Sequence, residues 1–273
     1  MTNETFAFPR FWNYLKYDLK QTLRFNVKGA VMIGGFSLIF YVLVVGLGIL
    51  FNHNWSAPGI EARAAMFGVG MLVLILYQTR TYGYLTDKRK GSSWLMIPAS
   101  VTEKFVSMMI ITLIVLPIAY TVSYLFIDAL IALLDPTAGQ AVAGGFSSLM
   151  DELREGLSEV EEQGVSLNLS AFAFPLIFEF ITSMLYFLLC GIYFRKWKLG
   201  GAIAFLLALQ FVLTMVVGLT VQHWSVVFDV NTNDPVMVAE RLNNIIAFGS
   251  WLNVFSTLVL GTLVFLRIKT LKH

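Results

Sequence analysis

Charge is what this chain has least of. Aspartate, glutamate, lysine and arginine make up 13% of its 273 residues, about half the share of an ordinary soluble domain. Cysteine is almost missing too. Cys190 stands alone, which excludes a disulfide framework within one chain and leaves the redox compartment unmarked. His53, His223 and His273 are isolated and form no Cys/His pattern with zinc spacing. The chain contains no G-x-x-x-x-G-K-[ST], so it holds no ATP in a P-loop of its own, and it contains no H-E-x-x-H or G-x-S-x-G. An enzyme is therefore unsupported. No catalytic residue, metal site or cofactor site is expected in this chain, and no nucleic-acid partner.

Apolar sequence takes the place of charge: 57% of residues are hydrophobic and the mean hydropathy is +0.73. These residues arrive in unbroken stretches instead of amphipathic stripes, which makes lipid the solvent. A membrane-spanning helix needs about 20 apolar residues, and six stretches qualify: 31–51, 64–84, 105–134, 171–194, 199–221 and 244–266. Strands of a membrane barrel would alternate in polarity over shorter segments, and these do not. The expectation is an all-α integral membrane protein of six transmembrane helices, one membrane domain over 29–273. An N-terminal segment, 1–28, precedes it and carries an amphipathic interfacial helix. The first apolar run is too long for a cleavable signal and reads as an uncleaved span.

The few charges are sorted by side. Lys and Arg number nineteen. On one side stand Arg10, Lys16, Lys20, Arg24 and Lys28, then Arg80, Lys88, Arg89, Lys90 and Lys104, then Arg195, Lys196 and Lys198, and finally Arg267, Lys269 and Lys272. Only Arg63, Arg154 and Arg241 fall on the other. Basic residues collect in cytoplasmic loops, so both termini are expected in the cytoplasm. The outer connection 135–170 is acidic, with Asp151, Glu152, Glu155, Glu159, Glu161 and Glu162. Leu149, Leu153, Leu157 and Val160 line one face of a short helix expected there, capped at Ser148 and ended at Gly164. Its acidic face suits a cation, although a solvated helix packed on the bundle is the plainer reading.

Within residues 11–25, Phe11, Leu15, Leu19 and Leu23 recur every fourth position with Trp12 beside them, and Lys16, Lys20 and Arg24 form a neighbouring stripe. That pattern fits an apolar face dipped into the inner leaflet with cations at anionic headgroups. A simple basic flank of the first span is the alternative. Near the other end, Asp234-Pro235 reads as a helix start, Asp capping and Pro in the first turn, with the helix running on into the sixth span.

The cytoplasmic connection 85–104 is the most informative stretch. Lys88, Arg89 and Lys90 suit a helix C-terminus, and Gly91 suits a left-handed terminator, so the second helix is expected to continue to about residue 90. Ser100 and Glu103 form a capping box, and Pro98 cannot continue a helix, so the third helix is expected to start near Val101. Between them Trp94, Leu95, Met96 and Ile97 put apolar side chains at a loop tip, where the lipid interface or a partner's groove has to cover them.

The run Asp87-Lys-x-x-Gly91-Ser92-x-x-Leu95-x-x-Pro98-Ala99-Ser100-x-x-Glu103 resembles the cytoplasmic segment of type-2 ATP-binding-cassette (ABC) exporter permeases. The six-span layout, the cytoplasmic termini and the amphipathic helix before the first span are similar too. The likeness covers the layout of nearly the whole chain but only about eighteen residues of sequence. It implies an ATPase-coupling loop made by Gly91, Ser92, Trp94, Leu95, Met96, Ile97, Pro98, Ser100 and Glu103, docked on a separate ABC ATPase subunit that carries the ATP and Mg. It further implies a dimer with a second permease copy or a paralogue, in the cell membrane (the inner, or cytoplasmic, membrane of a bacterium). The large acidic outer connection departs from the family pattern and leaves substrate and outer gate open.

Glu179 falls inside the fourth apolar stretch, where an ionisable group is a functional candidate by default. Asp128 and Gln210 are its possible polar neighbours, and Ala64 and Gly68 are small residues suited to close helix packing. Two readings compete with the permease: a secondary transporter or channel that uses Glu179, and a non-transporting membrane scaffold or assembly protein.

Overall fold

A bilayer interior offers no water to satisfy backbone polar groups, so a spanning segment has to bond to itself. The structure, a computed structural model, describes residues 6–53, 55–87, 91, 94, 96–145, 151, 169–224 and 235–271. Among the described residues there are helices and no strand. Helix α1 (Phe8–Thr22) opens with a proline in its first turn, where the missing N–H is no loss. It passes through a π turn (Leu23–Val27) into α2 (Lys28–Gly34) and, after Gly35, into α3 (Phe36–Asn52). The surface helix expected from the sequence is therefore continuous with the first apolar helix.

Helix α4 (Ile60–Thr81) ends in a 3₁₀ turn (Gly83–Thr86). The second helix thus stops short of the expected residue 90, because the Gly83 carbonyl is taken by the Thr86 hydroxyl and by Lys198 Nζ. Gly91 is helical, with its N–H on the Asp87 carbonyl at 2.7 Å, and is no left-handed terminator. Helix α5 (Val101–Ile110), a second π turn (Ile111–Val115) and α6 (Leu116–Leu134) form one helical run. Pro117 cannot donate to residue 113 and crowds its carbonyl, and the wider π turn just before it absorbs that conflict. Helices α7 (Leu169–Tyr193), α8 (Lys198–Trp224) and α9 (Pro235–Thr270) complete the described fold. Of the capped helix expected at 148–164 only Asp151, helical and exposed, is among the described residues, and Asp234 as a cap lies outside them.

Among the described residues, five segments are long and apolar enough to cross a membrane: Lys28–Phe51, Ile60–Thr86, Val101–Leu134, Pro175–Tyr193 and Gly249–Thr270. The chain is thus a multi-pass membrane protein. The stretch expected as a span at 199–221 lies in the 27-residue α8, whose part Lys198–Val212 is a shorter apolar helix. The 34 residues of Val101–Leu134 reach about 51 Å at about 1.5 Å per residue, well beyond a hydrocarbon core of about 30 Å.

Helix α7 is the hub and packs on α9, α4 and α8, while α2 packs on α6. Gly191 permits the α7–α4 contact, since a Cβ there would stand 2.6 Å from the Thr79 carbonyl oxygen. The expected close packing at Gly68 does not occur: nothing lies within 4 Å of a Cβ there. The core runs through Leu74, Met108, Leu116, Tyr120, Met184 and Leu188, all fully buried. On the outside, Val122, Phe126, Leu130 and Leu133 of α6 are exposed, the surface a lipid solvent requires.

One ion pair gives two polar residues their partners. Arg63, counted in the sequence among the outer basic residues, is 3% exposed within α4 and donates to Asp128 Oδ1 at 2.8 Å. Its other terminal nitrogen donates to the carbonyls of Ala138 and Gln140, both at 2.6 Å. Asp128 Oδ2 accepts the Val142 N–H at 2.6 Å, and the Tyr124 hydroxyl donates to the Arg63 carbonyl. So Asp128 is satisfied by Arg63 and not by Glu179. Nearby, Asp135 accepts from Thr137, from the Tyr41 hydroxyl and from the Trp55 indole, and the Thr137 and Tyr41 hydroxyls hold its carboxyl below the usual range.

Removing one member of a buried pair strands the other and costs about 3–5 kcal/mol. Asp128→Asn and Arg63→Ala should each show that loss when the purified protein is unfolded with SDS, and Arg63→Met with Asp128→Leu should recover part of it. Single variants as stable as the parent would show the pair to be idle.

Candidate functional site at the basic end of the bundle

The site is built where α1, the chain after α4 and the start of α5 meet. Ser100 caps α5: its hydroxyl accepts the Glu103 N–H at 3.2 Å, and Glu103 Oε2 accepts the Ser100 N–H at 2.9 Å. That is the capping box the spacing predicts. Glu103 does more than cap. Its carboxylate, fully buried, also accepts the Ala7 N–H at 2.9 Å and is gripped by Arg10 through Nε at 2.8 Å and Nη2 at 2.7 Å. A two-pronged guanidinium–carboxylate contact fixes orientation as well as distance. Glu103 thereby joins the start of α1 to the start of α5.

Trp94 is 5% exposed, so neither lipid nor a partner covers it. Its indole N–H donates to the Tyr14 hydroxyl of α1 at 2.9 Å. Lys104 Nζ lies 4.6 Å from its ring centre and donates to its carbonyl at 3.0 Å. The chain provides its own cover. Among the described residues of the tip, Met96 is exposed, at 83%. Pro98 is exposed, Ile97 half-buried against the core and Gly91 buried. Ser92 and Leu95 lie outside the described residues.

Asp18 of α1 is 3% exposed, and its Oδ2 accepts from Tyr82 at 2.9 Å and Ser107 at 2.7 Å. Burial pushes this carboxyl up, against the pull of the two hydroxyls. Asp18 therefore links α1 to the end of α4 and to α5. Lys198, at the start of α8, donates to the Gly83 carbonyl and lies 4.0 Å from Asp87. Two basic connections are thus tied together.

In the sequence Arg10 and Lys104 count only among the basic residues of one side, and Tyr14 and Asp18 belong to no motif. The signal was present in the helix wheel. At 100° per residue, α1 has three faces. Phe11, Tyr14, Asp18 and Thr22 are buried in protein, Phe8, Trp12 and Leu23 are exposed, and Lys16 and Lys20 carry the charge. The repeat Phe11, Leu15, Leu19 and Leu23 drifts from the first face to the second, and so hides the polar residues of the first. Glu179 lies elsewhere, exposed on α7. Among the described residues no group of His, Cys, Asp and Glu could hold a metal. Comparison with family models, with curated proteins and with solved structures finds no match.

Because its folded pKa is raised, Asp18 contributes stability at pH below the ordinary carboxylate range and loses it as pH rises through the raised value. Asp18→Asn stays neutral throughout. The difference in thermal midpoint, wild type minus Asp18→Asn, should therefore fall as pH rises from the ordinary carboxylate range. A pH-independent difference would exclude burial of the acid as the cause.

Proposed function

We propose that this chain is the membrane-spanning permease subunit of an ATP-driven ABC exporter. In this reading α8 is the fifth of six spans, both termini are cytoplasmic and the basic end faces the cytoplasm. The chain works as a dimer with a second copy or a paralogue and couples to a separate ABC ATPase. The observation that carries the reading is the braced tip: Met96 stands exposed on a loop whose neighbours are clamped to α1, α4 and α5.

A loop that transmits a push has to be stiff at the contact and compliant further on. Stiffness comes from the Glu103–Arg10 fork, the Trp94–Tyr14–Lys104 stack and the Asp18 bridge. Closure of the ATPase pair against Met96 moves these clamps as a unit. The displacement then enters the first and third spans through the π turns Leu23–Val27 and Ile111–Val115, where helical bonding is weakest and rearrangement cheapest. Glu179, exposed on α7, is the residue a proton-coupled transporter would need, and its role separates the two readings.

Purified with its native partners, the chain should carry a P-loop ATPase, and Met96→Asp should lower the amount recovered at least tenfold while helicity is unchanged. Recovery of the chain without an ATPase, or an undiminished complex with Met96→Asp, overturns the proposal. Proton-coupled flux by the chain alone, abolished by Glu179→Gln, would replace it. Trp94 is unsuitable for this test, because a charge at that buried position breaks the clamp itself.

A further inference from the structure

Between α7, α8 and α9 lies a cavity of about 750 Å³, inside the range of about 300–1,000 Å³ typical of ligand sites. Along α7 it extends from Thr182 to Tyr193, about 16 Å at about 1.5 Å per residue. Its wall is mostly apolar, with Phe187, Phe205 and Phe255, and Ser183 and Gln210 are polar residues among them. The hydroxyls that line it are mostly engaged already. Thr182 pairs with Thr257 at 2.7 Å, Tyr186 donates to the Ala202 carbonyl at 2.8 Å, and Ser256 donates to the Leu252 carbonyl at 2.8 Å. A polar molecule would lose its water here and find little in return, whereas a hydrocarbon chain loses nothing.

One end of the slot is different. The Arg267 guanidinium sits 5.3 Å from the centre of the Tyr193 ring, which forms that end. Its Nε is buried without a hydrogen-bond partner, and Arg267 makes no ion pair among the described residues. Arg195 and Lys196, which follow Tyr193 within three residues, and Lys269, two residues after Arg267, are exposed. A long apolar slot with cations at a single end matches a molecule with a long apolar chain and an anion at a single end.

We propose that this cavity binds one acyl chain of an anionic phospholipid, with the phosphate on Arg267. The chain lies along Phe187, Phe205 and Phe255, and the phosphate pairs with the half-buried Arg267 guanidinium stacked on Tyr193 at the end of the cavity. The site does not depend on what the protein transports or on how transport is driven.

The test uses the full chain in detergent with phosphatidylglycerol or phosphatidylcholine, each carrying the same acyl-chain diazirine, and maps the photo-adducts by mass spectrometry. Adducts on the α8 and α9 walls of the cavity, at least fivefold more abundant with phosphatidylglycerol, are expected. Arg267→Gln should reduce them to the phosphatidylcholine level, and Arg267→Lys should retain a preference. In the wild type, unlabelled phosphatidylglycerol should compete and phosphatidylcholine should not, which keeps the test decisive if a variant fails to fold. Equal adducts from the two lipids, adducts outside the cavity, or no adducts would overturn the proposal.

Discussion

A carboxylate shut away from water has to find every partner within the protein, and Glu103 finds its partners on both sides of a junction. The backbone of Ser100 and Ala7 and the guanidinium of Arg10 surround it, so the start of α1 cannot leave the start of α5 without stranding a charge. The position of α1 then decides the rest of this end. It brings Tyr14 under Trp94 and Asp18 between Tyr82 and Ser107. A helix that the pattern of leucines places on lipid is, on a second face, a structural part of the bundle.

The same constraint acts at the opposite end. Arg63 and Asp128 are each more than nine-tenths buried, and each draws further bonds from the chain just beyond α6. Buried charge gives little net stability of its own, but breaking it is expensive. These contacts therefore specify geometry. At one end α1, α4 and α5 are locked together, and at the other α4 and α6, with apolar packing around α7 between. The π turns lie between the first of these locks and the apolar helices, where bending is least costly.

The cavity between α7, α8 and α9 belongs to neither lock. Hydroxyl pairing of Thr182 with Thr257 closes α7 on α9, and the gap that remains is mostly apolar over its length and cationic at one mouth. In lipid such a gap is not a void to be avoided, since the solvent itself can fill it.

Much of this protein was legible in its sequence. The apolar stretches, the start of α5 at the Ser100–Glu103 box and the start of α9 at Pro235 could be read because each is local: residue spacing and capping chemistry act within a few residues. The buried partners could not be read that way. Trp94 reads in sequence as an exposed tip because Tyr14 lies eighty residues away, and the partner of Arg63 cannot be read because Asp128 lies on another helix. Sequence by itself determined that the chain folds as apolar helices, since long unbroken apolar stretches in lipid satisfy their backbone only within themselves, without the alternation a barrel needs. Tertiary structure decided which polar groups are buried together, because a charge has to be neutralised by whatever the fold brings within about 3 Å, and neither periodicity nor composition encodes that distance.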